Sequence, residues 1–504
     1  MQNSSLEQLK VRLAGITDLA QVASLVGWDQ MVMMPQAGAA LRANQRATLT
    51  KVIFEQFTSP ETGRLLDEVA SLEDSLDPES DDAALIRLTR RDYEKAVRVP
   101  SELRSDIARA SSEGVQAWAR AKEASDFSLL LPALERAIEL RQNYIDCFDD
   151  YDERYDVLLD DFEPEMKSAE VRAVFQRMKD ELLSFISGLG DAEPDDAFLT
   201  GHFPVDRQQA LCHEVIDLFG LKPETWRLDD TRHPFVGGPG SDDVRITTHY
   251  DETNLDALFA SMHEYGHALY ENQVARELAR GPLGRGCSLG LHESQSRMWE
   301  NLVGRSLPFW RFFFPRLQEL FPDALSGYDA ERWYREVNAV QPSLIRVEAD
   351  EATYNLHIIL RFELEQEMLA GSVELEQLPE EWNRRMWEYL GIEVPDDTRG
   401  VLQDTHWAGG SVGYFPTYAL GNLISAQIWE RIVSDLPGLH DEFEQGEFGS
   451  LRDWLRENLH RHGRKFTPLE TLERVSGAPK IDPEPYVRYL RSKLGEIYGL
   501  PVAG

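Results

Sequence analysis

His263 and His267 stand four residues apart, with Glu264 next to the first, in a run where Leu255, Leu258, Phe259, Met262, Gly266 and Leu269 recur at three- and four-residue steps. That spacing is the period of one helix face. Residues four apart on a helix lie one above the other, so both imidazoles can face a single metal ion. Glu264 falls about 100° round the helix from His263 and can reach a water bound to that ion. Two neutral nitrogen donors and an adjacent carboxylate base form the arrangement a zinc peptidase needs. Asp251 or Thr253 is expected to cap the start of this helix, and Gly281-Pro282 to end it.

The same period recurs along most of the chain and predicts a mainly α fold. Helices are expected at 5–25, 39–57, 83–96, 101–123, 128–149, 168–188, 206–219, 253–279, 292–305, 329–340, 348–369, 379–389, 417–434 and 483–498. Loops are expected at Leu76-Asp77-Pro78-Glu79-Ser80, at Gly188-Leu189-Gly190-Asp191 and at Gly237-Gly238-Pro239-Gly240. Around 227–250 the pattern changes. Asp243-Val244-Arg245-Ile246-Thr247-Thr248 alternates polar and β-branched residues and reads as a strand, with the glycine-rich turn before it suggesting a hairpin. An edge strand there can pair with an extended peptide through its main chain.

The chain has 504 residues, 42% of them hydrophobic, enough for a substantial core. A net charge of −36 opposes binding to nucleic acid or to anionic lipid. Cys147, Cys212 and Cys287 are widely spaced, which makes neither a disulfide framework nor a Cys-x-x-Cys metal pair. Cys287 is expected to be a buried thiol. No apolar run approaches the ~20 residues of a membrane span. A soluble, cytoplasmic protein is the expectation.

A catalytic zinc takes three protein ligands and leaves one position open. After the metal helix a second helix begins near His292-Glu293-Ser294-Gln295, and Glu293 is the expected third ligand. Glu300, two turns later on the same face, is the alternative. His292 points about 100° away from Glu293. Glu264 is expected to take the proton of the attacking water and deliver it to the leaving amine. Donors for the developing oxyanion are expected from two segments. One is Gly400-Val401-Leu402-Gln403-Asp404-Thr405-His406-Trp407; the other is Gly413-Tyr414-Phe415-Pro416-Thr417-Tyr418.

Six segments in order resemble the signature of the carboxypeptidase Taq family of metallocarboxypeptidases. They are His233-Pro234-Phe235, Asp243-Val244-Arg245-Ile246-Thr247, His263-Glu264-Tyr265-Gly266-His267, His292-Glu293-Ser294-Gln295, Ile345-Arg346-Val347-Glu348-Ala349-Asp350 and Gly400–Trp407. Trp28-Asp29-Gln30 with Met34-Pro35 extends the likeness, which runs from about residue 20 to the C-terminus.

The resemblance implies one catalytic domain over residues 1–504, almost all helical, with a deep groove between two helical halves and a small sheet beside the metal. It implies release of single C-terminal residues from peptides, broad in specificity but poor towards proline. It also implies one zinc per chain, with cobalt able to substitute, and a homodimer. His263, His267 and Glu293 would be the metal ligands, and Glu264, His406 and Tyr418 the catalytic groups, with Tyr418 the oxyanion donor. His233, Arg245, Arg346 and Tyr414 would lie on the substrate side. Arg346 would bind the terminal carboxylate, which a guanidinium can pair with bidentately. Arg245 in that part, or a structural ion pair of Arg346 with Glu348 or Asp350, is the alternative. An oligo-endopeptidase with the same metal chemistry, or a peptide-binding protein without turnover, are the competing readings of the whole chain.

Overall fold

The computed structural model describes residues 2–189 and 201–500. The expected loop at Gly188-Leu189-Gly190-Asp191 lies partly outside them; the helix Ser168–Gly188 ends where that loop was expected to begin. Helices dominate, and a single three-stranded sheet accompanies them among the described residues. The chain forms two compact units. One comprises Met1–Val97, Asp196–Tyr334 and Ile428–Ala478; the other comprises Arg98–Asp195, Arg335–Gln427 and Pro479–Gly504.

In the first unit, the helix Gln2–Val32 buries Leu6, Leu9 and Leu13 against Leu65, Leu66 and Val69 and against Ala84, Leu85 and Ile86. The partner helix Pro60–Glu73 was not anticipated. Its opening proline resembles a loop signal, yet it stands in the first turn, where its missing N–H has no partner to lose. Ser59 caps that turn by accepting from the Thr62 N–H at 3.3 Å. The helix Leu307–Leu320 was missed for the same reason, with Ser306 as cap and a proline in its first turn.

The sheet consists of β1 (Trp226–Asp230), β2 (Val236–Gly240) and β3 (Asp243–Thr248), in the order β1-β3-β2. β2 and β3 form an antiparallel hairpin with Val236 opposite Ile246 and an irregularity between Gly237 and Gly240, but Gly237-Gly238-Pro239-Gly240, expected as its loop, is itself strand, and the turn falls at Ser241-Asp242. Gly238 has φ +130, a backbone that a residue with a side chain rarely adopts. β1 adds a parallel pairing on the other side, Trp226 opposite Val244 through Asp230 opposite Thr248. This pairing leaves no mark in local sequence. Trp28 lies over the sheet, buried, with the guanidinium carbons of Arg227 and Arg245 at 4.9 and 4.4 Å from its ring. The N-terminal Trp-Asp-Gln segment thereby anchors the first helix to the sheet.

The metal helix follows directly, from Asp256 to Gln273. It is shorter at both ends than expected. Asp251 is spent on a local turn, accepting from the Thr253 N–H and hydroxyl, and Asn254 instead accepts from the Asp256 N–H at 3.0 Å. At the far end Val274 turns to extended backbone (φ −57, ψ 137), and the Ala275 N–H donates to the Arg461 carbonyl, well before Gly281-Pro282. Leu258, Met262 and Leu269 are buried as the periodicity requires, and the Thr248 hydroxyl ties β3 to this helix through the Ala257 carbonyl at 3.1 Å.

The second unit is built around the helix Tyr354–Ala370, whose side chains are buried on nearly every face. Its start lies later than expected because Asp350 folds the preceding residues into a turn, accepting from the Ala352 and Thr353 N–H groups and the Thr353 hydroxyl. Gly371 closes it in the left-handed conformation at φ 66. Asn355, His357, Arg361 and Glu365 carry polar groups from this apolar helix into the core.

A metal-binding cluster and a buried arginine cluster

His263 and His267 project from the middle of the metal helix, and Glu293 meets them from the helix Leu289–Arg297. Ser288 caps that second helix by accepting from the Leu291 N–H at 3.1 Å. Gly266 lets the two helices meet, since a Cβ there would lie 2.6 Å from Ser296 Cα and overlap the Gln295 carbonyl. Glu293 Oε2 lies 3.5 Å from His263 Nε2 and 3.4 Å from His267 Nε2. A tetrahedral zinc with ligands at about 2.0–2.1 Å separates its donors by roughly 3.3–3.4 Å. The two nitrogens and the carboxylate oxygen therefore fit such an ion. Among the described residues they are the group of His, Cys, Asp and Glu spaced for a metal, with all three donor atoms within 4.8 Å of one another.

Glu300, the alternative ligand, lies outside this group and meets the far side of His263. The chain widens into a π-helical turn at Met298–Val303, and Glu300 Oε2 lies 2.9 Å from the outer nitrogen, Nδ1, of His263. Holding the outer nitrogen fixes the ring and leaves Nε2 for the metal. Arg297 bonds Glu293 Oε1 at 2.7 Å and Glu300 at 3.3 Å, and Arg305 lies 3.4 Å from Glu300. His292 is not in the donor set either; it bonds His267. Sequence reading missed Glu271, Arg297 and Arg305. Two of them had a signal in their spacing, since Arg297 is four residues after Glu293 and Glu271 four after His267.

The charges in this cluster follow from its geometry. Burial opposes ionisation of Glu293, but Arg297 and His263 outweigh it and hold that carboxyl well below the usual range. Glu300 is likewise held at about 2, burial being overcome by Arg297 and His263. His263 faces two carboxylates, so despite burial its pKa rises to about 10. His267 has burial against it first and two imidazoles for neighbours, and falls to about 4. Glu264 is buried, and that burial lifts its carboxyl to about 7, where it can both take and give a proton near neutrality.

The remaining expected residues of the first unit are on or beside the sheet. Arg245 is bonded to Asp243 at 2.9 and 2.8 Å and stacked on Trp28. His233 is exposed in the segment joining β1 to β2, where the Phe235 backbone pairs with Thr247. Cys287 is buried, its sulfur 3.7 Å from the Tyr270 hydroxyl.

The second unit gathers Arg346, Arg361, Asp404, His406 and Tyr418. Arg346 does not pair with Glu348 or Asp350. Its Nη2 lies 2.7 Å from Asp404, and its Nη1 meets the Tyr354 hydroxyl at 3.0 Å. Asp350 is instead engaged in the turn before Tyr354. Arg361, fully buried, donates from Nε to the other Asp404 oxygen at 2.8 Å. Burial lowers Arg361 to about 10, so it keeps its charge at neutral pH. Asp404 is driven far below its usual value, burial being outweighed by the two guanidiniums. Two cations thus share one anion, and the cluster carries a surplus positive charge. His406 Nδ1 is 3.8 Å from Asp404 and its Nε2 is 3.5 Å from the Tyr418 hydroxyl. Burial lowers His406 to about 4, which makes it a neutral imidazole at ordinary pH. Tyr414 flanks it, ring centroids 5.2 Å apart. Glu365 supports this loop from below, accepting from Trp407 Nε1 at 2.8 Å and the Gly413 N–H at 3.0 Å.

Residues 8–494 match the family described as carboxypeptidase Taq (M32) metallopeptidase. The chain is 42% identical over 495 residues to "Thermostable carboxypeptidase 1" of Thermus thermophilus, covering 95% of this chain and 96% of that one. It is 35% identical over 489 residues to "Carboxypeptidase 1" of Bacillus subtilis, covering 96% and 97%. The crystal structure of the M32 carboxypeptidase from Deinococcus radiodurans R1 superposes with a TM-score of 0.95 at 39% identity, covering 99% of this chain and all of that one. The chain belongs to the carboxypeptidase Taq (M32) family of metallopeptidases.

Proposed function

We propose that this protein is a zinc-dependent carboxypeptidase that releases single C-terminal residues from peptides with broad specificity. The observation that carries the reading is the His263, His267 and Glu293 donor set, spaced for one cation, with the buried Glu264 next to it in the helix. Zinc, when bound, polarises a scissile carbonyl and lowers the pKa of water. Glu264 takes the proton of the attacking water and passes it to the leaving amine, a task suited to a carboxyl lifted to about 7. The Tyr418 hydroxyl and the neutral His406 act as hydrogen-bond donors to the oxyanion. Arg346 receives the terminal carboxylate. The surplus positive charge of Arg346, Arg361 and Asp404 supports that role, because a buried cation excess is relieved by an anion. Arg245 is held by Asp243 and Trp28, which favours a structural part for it. His233 and Tyr414 contribute to substrate binding.

Cobalt substitutes for zinc in this reading, because the mixed nitrogen and oxygen donor set suits either ion. Three free cysteines and the absence of any helix long and apolar enough to cross a membrane among the described residues support a cytoplasmic location. The active form is a homodimer, which sedimentation at micromolar concentration measures. The test of the activity is a set of peptides with free C-termini and their amidated twins, the products identified by mass spectrometry. Stepwise loss of single C-terminal residues from the free peptides alone is expected. Internal fragments from a ten-residue peptide, with free and amidated forms cut equally, would show an oligo-endopeptidase instead.

A further inference from the structure

The two imidazoles of the metal helix are backed in different ways. His263 offers Nδ1 directly to a carboxylate, Glu300, at 2.9 Å. His267 does not. Its Nδ1 lies 2.7 Å from Nδ1 of His292, and the Nε2 of His292 lies 2.7 Å from Glu271 Oε1. The Gly286 N–H donates to the same Glu271 oxygen at 2.9 Å. The His292 ring is flanked by His267 and Tyr270, with ring centroids 4.8 and 5.1 Å away. Gly286 also makes room for it, since a Cβ there would lie 2.7 Å from His292 Cδ2.

The hydrogens in this chain have one consistent arrangement when His267 uses Nε2 as a ligand. Nδ1 of His267 must then carry its hydrogen. His292 accepts it on Nδ1, which places the single hydrogen of a neutral His292 on Nε2, aimed at Glu271. The Glu271 carboxylate has only acceptors. With His292 in the other neutral tautomer, two N–H groups would face each other at 2.7 Å and Glu271 would face a lone pair.

We propose that Glu271 is a positioning residue for the metal site, fixing the tautomer and ring plane of His267 through His292. Glu271 is one turn beyond His267 on the same helix, while His292 sits next to Glu293 on the neighbouring helix. The relay therefore leaves the metal helix, crosses to the helix that supplies the carboxylate ligand, and returns. It couples the orientation of one imidazole ligand to the placement of Glu293. This inference rests on the metal reading above.

Competition of the purified apoprotein against a chromophoric chelator for zinc tests it. Glu271→Ala and His292→Ala should each weaken zinc binding by about 10–100-fold, the usual effect of removing a partner behind a ligand. Glu271→Gln should stay within about threefold of the wild type, because its amide oxygen can still accept from both His292 and Gly286. The double variant should bind zinc no more weakly than His292→Ala alone, since Glu271 acts only through His292. Should Glu271→Ala fail to fold, Glu271→Asp, with its carboxylate drawn back by one carbon, is expected to weaken zinc binding in the same direction. Wild-type affinity in the alanine or aspartate variant, or an equal further loss when Glu271→Ala is added to His292→Ala, would overturn the relay while leaving the metal reading intact. A wild-type protein that binds no zinc would overturn both.

Discussion

Gly266 and Gln295 touch backbone to backbone: no side chain fits at 266 without overlapping the Gln295 carbonyl. The glycine between the two histidines weakens its own helix by about 1 kcal/mol relative to alanine. It is tolerated because it brings Glu293 within 3.5 Å of both imidazoles. Gly266→Ala is expected to push the helices apart, with a net loss of about 1–3 kcal/mol in stability from overpacking. Zinc affinity should fall with it. Thermal melts of the apo- and zinc-loaded protein check this, and a smaller zinc-induced stabilisation than in the wild type is the expected result.

Glu264→Gln keeps the shape of the side chain and removes its capacity to take a proton. Turnover is expected to drop by on the order of 10²–10⁴-fold, with metal content unchanged because Glu264 is outside the donor set. Single-turnover kinetics on a chromogenic peptide, together with metal analysis of the same sample, separate the two effects.

Arg346 and Asp404 are expected to respond differently to mutation. Arg346→Ala should raise KM for free C-terminal peptides and leave amidated ones uncleaved. Asp404→Asn strips the shared anion from Arg346 and the fully buried Arg361. Breaking such a buried pair typically costs about 3–5 kcal/mol. A loss of stability much larger than that of Arg346→Ala is expected in denaturant titrations.

His406 provides a pH signature. Its imidazole is held at about 4 by burial, below the ordinary value of 6.5. Above pH 6.5 neither the folded nor the unfolded form is protonated at this residue, and stability is unaffected. Between pH 6.5 and 4 the unfolded chain binds the proton and the folded one does not. Stability is therefore lost as pH falls through that window, by roughly 3 kcal/mol in all. His406→Gln should flatten this part of the stability profile, which urea midpoints across pH 4–7 measure.

Much of this was legible in the chain. Long helices showed because their apolar residues repeat every three or four positions, and Ala39–Phe57 fell where the pattern put it. Helices with a proline in the first turn, Pro60–Glu73 and Leu307–Leu320, were hidden because the same residue marks turns. The β1–β3 pairing was invisible, since register between distant strands is set by tertiary packing. The cluster of His263, His267 and Glu293 was legible because one ion would demand fixed donors at fixed spacing. Glu271, Arg297 and Arg361 were not, because a single charged residue on a helix reads as solvated until its burial is known. Asp404 stood in a segment read only for His406, and its role appears once two arginines converge on it.

Metal content is the most direct measurement. The purified chain, stripped with a chelator and reloaded with zinc, is expected to hold one zinc per chain by elemental analysis and to regain peptidase activity in proportion. Glu293→Ala should retain well under one equivalent after the same treatment. A Glu293→Ala protein that keeps a full equivalent, or a wild type equally active with its metal removed, would contradict the site at His263, His267 and Glu293.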